Sequence, residues 1–334
     1  MRFLSLLFAL FAVSLASPIA LYRDLFFREY GVIKANASNS TASNYSNASN
    51  ATNSTSSGVK PKLAIVVTGG YVPLTNYTSS SEVSITTLYN TTSTLNASQI
   101  YNVANTINKT LGSDKYSGVV VLSNENSVES LGFLLSVVID NYKPVVVTSD
   151  VLPGLFVASS TGAISRGALV VQENSIYSGT VFNPQATGWG AVGTVSDSNV
   201  AWLYAPSTAQ LLAPSSVIRT NYTNFTATNI SSSSLPVVPV VYDGQYNSDL
   251  LATISSSIDG LVVVASGNAT TSTLTSDTLP VVYASGDSSL VVPADVPAGA
   301  IAGGYLTPTK AQLLLTVALA NSVSNSTLLQ SVFP

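Results

Sequence analysis

Leu63-Ala64-Ile65-Val66-Val67 runs directly into Thr68-Gly69-Gly70. An apolar run without alternation describes a strand buried on both faces, and the glycine pair ends it in a tight turn. The same unit recurs further along the chain. Ser98 to Leu111 has helical spacing, with Ile100, Val103, Ala104 and Ile107 on one side. Val119 to Leu122 is a second buried strand. Val128 to Ile139 reads as a helix with Leu131, Leu134, Leu135 and Val138 inward, and Val145 to Val147 and Ala168 to Val171 supply two more strands. Strands separated by helices predict an α/β fold, with parallel sheets covered by helices on both faces. Ala191 to Tyr204 predicts a β-hairpin around Asp197-Ser198-Asn199.

A polar stretch from Pro206 to Ser234 interrupts the pattern, which then resumes. Val237 to Tyr242, Leu261 to Val264 and Val281 to Tyr283 read as strands. Asp249 to Ile258 and Thr309 to Ala320 read as helices, the second with Pro308 placed before it. The expected organisation is a larger α/β domain over residues 60–205, a linker over 206–235 and a smaller α/β domain over 236–334. Two segments precede them. Residues 1–16 have the form of an export signal: Arg2, an apolar stretch from Phe3 to Val13, and small residues before Ser17-Pro18, too short to span a membrane. Residues 17–59 form a low-complexity glycosylated segment, expected to be disordered because Asn, Ser, Thr and Ala bury too little surface to offset chain entropy.

The 334 residues carry a net charge of -4, and only 8% are charged although 46% are apolar. Something other than Lys and Glu must solvate this surface. Asn-X-Ser/Thr sequons provide the means. They stand at Asn36, Asn39, Asn44, Asn47, Asn50 and Asn53, then at Asn76, Asn90, Asn96 and Asn108, and then at Asn221, Asn224, Asn229, Asn268 and Asn325. So few cations exclude a nucleic-acid surface. There is no Cys and no His. Disulfide and thiolate chemistry are excluded, and the commonest general base and metal ligand are missing. No cofactor and no metal are expected. The expected location is secreted, either extracellular or in a cell wall.

In parallel sheets ligands sit beyond the carboxyl ends of the strands. At those ends the sequence resembles the type II asparaginases from about Lys60 to Phe333. Val67-Thr68-Gly69-Gly70 is similar to the start of the family's Thr-Gly-Gly-Thr motif, and Gly118-Val119-Val120-Val121 precedes the place of its His-Gly-Thr-Asp-Thr motif. Lys143-Pro144-Val145-Val146-Val147, Arg166-Gly167-Ala168-Leu169-Val170-Val171, Gly260-Leu261-Val262-Val263 and Gly267-Asn268 follow in the family's order. The run from Ala302 to Ala311 closes the set. The resemblance implies a two-domain fold and a homo-oligomer, in which asparagine is hydrolysed through a threonine nucleophile aided by a second Thr, an Asp and a Lys.

The catalytic positions depart from that pattern. The resemblance sets Thr68 at the head of the first motif and Tyr71 in place of the nucleophile. The second motif reads Ser123-Asn124-Glu125-Asn126-Ser127, so Glu125 replaces the second Thr and Asn126 the ammonium-binding Asp. Lys143 is the one member the resemblance retains. Asn76-Tyr77-Thr78 resembles the mobile loop whose Tyr closes the site, and a glycan on Asn76 would hinder closure. Between Leu152-Pro153 and Arg166 the connection is much shorter than the family's, which carries an additional helix. The expectation is a site with no intact catalytic group, remnant at Thr68, Tyr71, Tyr77, Glu125, Asn126 and Lys143. It is expected to serve a structural or ligand-binding surface protein that takes a small amino-acid-like ligand or cell-wall polysaccharide. The alternative is an active asparaginase-type amidohydrolase, with Ser127 or Thr78 as displaced nucleophile beside Lys143.

Overall fold

The computed structural model describes residues 62–70, 82–186, 188, 190–204, 235–244, 249–265, 274–276, 278–287 and 289–334. The expected export signal and low-complexity segment, Tyr71, Tyr77, Thr78 and the sequons at Asn76, Asn221, Asn224, Asn229 and Asn268 lie outside the described residues.

Two sheets organise the rest. The first has eight strands in the order β2-β1-β3-β4-β5-β6-β7-β8. These are β1 (Lys62–Gly69), β2 (Val83–Thr91), β3 (Tyr116–Leu122), β4 (Val145–Thr148), β5 (Ala168–Gln172), β6 (Ser175–Ser178), β7 (Ala191–Ser196) and β8 (Asn199–Trp202). The second is wholly parallel, in the order β12-β11-β10-β9, from β9 (Val240–Tyr242), β10 (Leu261–Ala265), β11 (Val281–Ser285) and β12 (Ile301–Ala302). The helices are α1 (Ala97–Leu111), α2 (Glu125–Val138), α3 (Val151–Ser159), α4 (Leu250–Ile254), α5 (Pro308–Ala320) and α6 (Ser326–Val332).

The buried runs seen in the sequence are the central strands. Val119 to Leu122 and Val145 to Val147 are buried throughout, in register with Ala64 to Val67 and with Ala168 to Val170. The first sheet is mixed, and the hairpin expected around Asp197-Ser198-Asn199 is β7 and β8. β1 to β5 are parallel, but β6, β7 and β8 run antiparallel to their neighbours. Chain length decides two of these reversals. β5 and β6 are joined by Glu173 and Asn174, with Glu173 at φ 54°, and β7 and β8 by Asp197 and Ser198, with Asp197 at φ 53°. Two residues can reverse a chain but cannot carry it back to the start of a parallel neighbour.

The short connection after β4 also holds a helix, α3, which corrects the expectation of a stretch lacking one. Asp150 caps it, its Oδ1 accepting from the Leu152 amide at 3.2 Å. Pro153 falls in the first turn, where a missing donor costs no helical bond. Gly154 lets the helix lie close on the sheet, since a Cβ there would stand 2.6 Å from Thr148 Cγ2 and 3.0 Å from Val120 Cγ1.

One hydrophobic core joins the sheets. Val121, Val147 and Val170 from the first meet Leu131, Leu134 and Leu135 of α2. These pack with Leu314, Val317 and Ala318 of α5, which cover Val262, Val282 and Ile301 of the second. Polar ties cross the same seam. Thr307, which caps α5, donates to Glu129 Oε1 at 2.6 Å. The buried Lys310 ammonium donates to the carbonyls of Thr180, at 3.0 Å, and of Phe182.

Candidate functional site

The carboxyl ends of β1, β3 and β4 bring together Thr68, Gly69 and Gly70 with Ser123, Asn124 and Thr148. Thr68 is fully buried, and its hydroxyl donates across to the Leu122 carbonyl at 3.2 Å. Gly70 sits at φ 80°, a left-handed conformation natural to glycine, and a Cβ there would stand 3.1 Å from the Ser123 carbonyl. A Cβ on Gly69 would overlap the Thr91 carbonyl and stand 2.8 Å from Asn124 Nδ2. No free volume separates the glycine turn from the second motif at that point.

Asn124 is the reason. The family resemblance puts a glycine here. The asparagine is only 7% exposed and donates from Nδ2 to the carbonyls of Thr91 at 2.9 Å and Ser93 at 3.1 Å. Asn126 donates to the Thr92 carbonyl at 3.2 Å. Ser127 is fully buried, and its Oγ accepts the Leu95 amide at 3.0 Å. Four side-chain bonds therefore fasten 124–127 to 91–95, the stretch that leaves β2. Asn124 Nδ2, Asn126 Nδ2 and Ser127 Oγ are thus engaged with backbone within the protein. Asn124 Oδ1 is left buried without a partner.

Glu125 points to solvent in the first turn of α2, where its charge suits the positive end of the helix dipole. Lys143 is not brought to this group. It stands two residues before β4, at the amino end of a strand whose carboxyl end bears the site. Its ammonium donates to the carbonyls of Leu111 at 2.8 Å and Ser113 at 2.9 Å, closing the end of α1. The retained lysine thus has a structural task at the opposite end of the sheet. Sequence reasoning also missed 91–95, whose partners lie more than thirty residues away and which bears no motif.

At the amino end stands another cation, Arg166, which is buried. Arg166 donates to the carbonyls of Gly162 and Tyr204, both at 2.5 Å, and its guanidinium lies 4.1 Å from the centroid of the Trp202 ring. Burial lowers its pKa. Among the described residues no group of three or more His, Cys, Asp or Glu could hold a metal ion, and no helix is long and apolar enough to cross a membrane.

The sheet order, the glycine turn and the two strand-end motifs define an α/β protein of the asparaginase class, and the chain belongs to that family. Its family profile, "Asparaginase, N-terminal", matches residues 48–188. Protein YGP1 of Saccharomyces cerevisiae is 39% identical over an alignment of 357 positions covering 100% of both chains. The sporulation-specific wall maturation protein of the same yeast is 40% identical over 293 positions, covering 81% of this chain and 88% of that one. L-asparaginase 2-3, also from that yeast, is 25% identical over 248 positions, covering 63% of this chain and 66% of the enzyme.

Proposed function

We propose that this chain is a secreted or cell-wall N-glycoprotein built on an asparaginase fold. It does not hydrolyse asparagine, and it acts as a structural or ligand-binding surface protein. The observation that carries this reading is the set of bonds from Asn124, Asn126 and Ser127 to 91–95. Groups that would receive a substrate are already paired with backbone. A catalytic unit acts through donors and bases left free for the transition state. The printed name of one relative, a wall maturation protein, supports the location. The amidohydrolase alternative has less in its favour: Ser127 is buried and engaged, and Lys143 lies at the other end of the sheet.

An ammonia-release assay with asparagine and glutamine on the purified secreted protein tests the reading. No release above background is expected; turnover that is abolished by mutating residues of the first two motifs would overturn it. The same sample should lose substantial mass on N-glycan removal. Light scattering should report a homo-oligomer, the assembly the family resemblance implies.

A further inference from the structure

The two sheets have four edges. Three are short among the described residues: β8 has four residues, β9 three and β12 two. The fourth, β2, has nine: Val83-Ser84-Ile85-Thr86-Thr87-Leu88-Tyr89-Asn90-Thr91. It pairs with β1 on one side, and among the described residues nothing pairs with the other. Every residue in it is uncharged and none is proline. An edge of this length and composition offers a row of unpaired amides and carbonyls to another copy of the same strand. The usual devices that blunt an edge are shortness, a charge, a proline or a covering element. Shortness guards the other three, and β2 has neither shortness nor charge nor proline.

β2 does carry a sequon, Asn90-Thr91-Thr92, and a second follows at Asn96-Ala97-Ser98. Asn90 and Asn96 are both exposed. Asn96 caps α1, but the cap uses only Oδ1, which accepts the Gln99 amide at 2.9 Å, while Gln99 Oε1 accepts the Asn96 amide at 3.0 Å. Its Nδ2 is spared. Nδ2 is the atom that bonds to the anomeric carbon of a lipid-pyrophosphate oligosaccharide. The bond from that carbon to the pyrophosphate oxygen breaks, and the amide proton leaves with the pyrophosphate. Capping and glycosylation are therefore compatible on one side chain.

We infer that N-glycans on Asn90 and Asn96 close the β2 edge and keep copies of this chain from pairing strand to strand. This inference rests on the exported, N-glycosylated reading proposed above. A branched, hydrated glycan beside the open row of backbone groups excludes a second strand sterically, where most proteins use lysine or proline. The glycans then have a task specific to this edge, beyond solvating a surface poor in charge.

The test uses the full secreted protein. Thr92→Ala and Ser98→Ala together remove both sequons and leave Asn90, Asn96 and the α1 cap in place. Peptide mapping of the wild type should find glycan on both asparagines. The double variant, or wild type stripped by an endoglycosidase under native conditions should the variant not be exported, is expected to shift to at least roughly twice the particle mass in light scattering and to gain thioflavin T fluorescence. Adding Thr86→Lys, a charge at an exposed position on the edge, should return both readouts to the wild-type values. Bare Asn90 in the wild type, an unchanged size after stripping, or failure of Thr86→Lys to reverse the shift would each overturn the inference. Glycan at Asn325 but not at Asn90 sinks this inference alone, whereas a chain free of N-glycan throughout sinks the reading it rests on.

Discussion

Raising the pH from 7 to 9.5 should make this protein more stable, because of Lys310. The side chain is 1% exposed. Its ammonium is held by the Thr180 and Phe182 carbonyls, 5.8 Å from the Phe133 ring centroid, with Glu129 as the carboxylate that acts on it. Burial outweighs the pull of Glu129 and lowers its pKa from 10.5 to about 8. Between those values the unfolded chain keeps a proton that the native protein has released, so stability rises with pH. The full difference corresponds to about 3 kcal/mol, of which about 2 kcal/mol should be gained by pH 9.5. Above pH 10 the trend should reverse. Burial raises the Tyr305 phenol to about 12 and raises that of Tyr101 also, so the native protein keeps protons that the unfolded chain releases. Urea unfolding at several pH values, followed by tryptophan fluorescence at constant m, measures the curve. Lys310→Met should flatten the rise between pH 7 and 9.5. A wild-type curve that is flat or falling over that range, or the same rise in Lys310→Met, would refute the reasoning.

Asn124→Ala removes two buried hydrogen bonds and should destabilise the protein by about 1–3 kcal/mol, whereas Asn126→Ala, at an exposed position, should cost about 0.5 kcal/mol or less; urea midpoints separate the two. Asp287 is held down to about 2, first by the Ser285 hydroxyl and then by Ser289. Its contribution to stability is present above the ordinary carboxylate value and is lost as pH falls toward 2. Ser285→Ala should move the Asp287 titration upward in carboxyl NMR, and an unchanged titration would show that the hydroxyl is not the cause.

The central sheet was legible because full burial leaves a plain sign: runs of Val and Leu without alternation. β2 was not, because it is an edge. Thr86 and Thr87 face solvent, and its burial depends on α1 and β1 and not on its own composition. α3 was hidden by Pro153-Gly154, a pair that reads as a turn in isolation. The proline is harmless in the first turn, and the glycine answers to Thr148 and Val120, contacts that local sequence does not encode. Lys143 was misplaced for a different reason. A lysine just before a parallel strand must lie at the amino end of the sheet, so strand polarity alone argued against its joining Thr68. The identities in the second motif were legible; their partners in 91–95 were not, because pairing at that separation is a property of the fold.

Those partners bear on whether the loss of a catalytic centre is a matter of a few side chains. A site open to substrate must keep polar groups unpaired until the ligand arrives, and proteins sacrifice stability to hold them so. Here three such groups make four hydrogen bonds to backbone, at about 1 kcal/mol of net stabilisation each. Restoring Thr at Tyr71 and Glu125 and Asp at Asn126 would supply the right chemistry but leave Asn124 packed beside Gly69 and tied to Thr91 and Ser93. Glycine at Asn124 would open the space, yet it would also free two carbonyls and the end of β2. Residues 91–95 would then need a new anchor, and β2 is already a strand whose outer edge has no partner among the described residues. Site and edge are thus coupled through one stretch of chain. The bonds that tie the second motif to 91–95 also hold the end of β2.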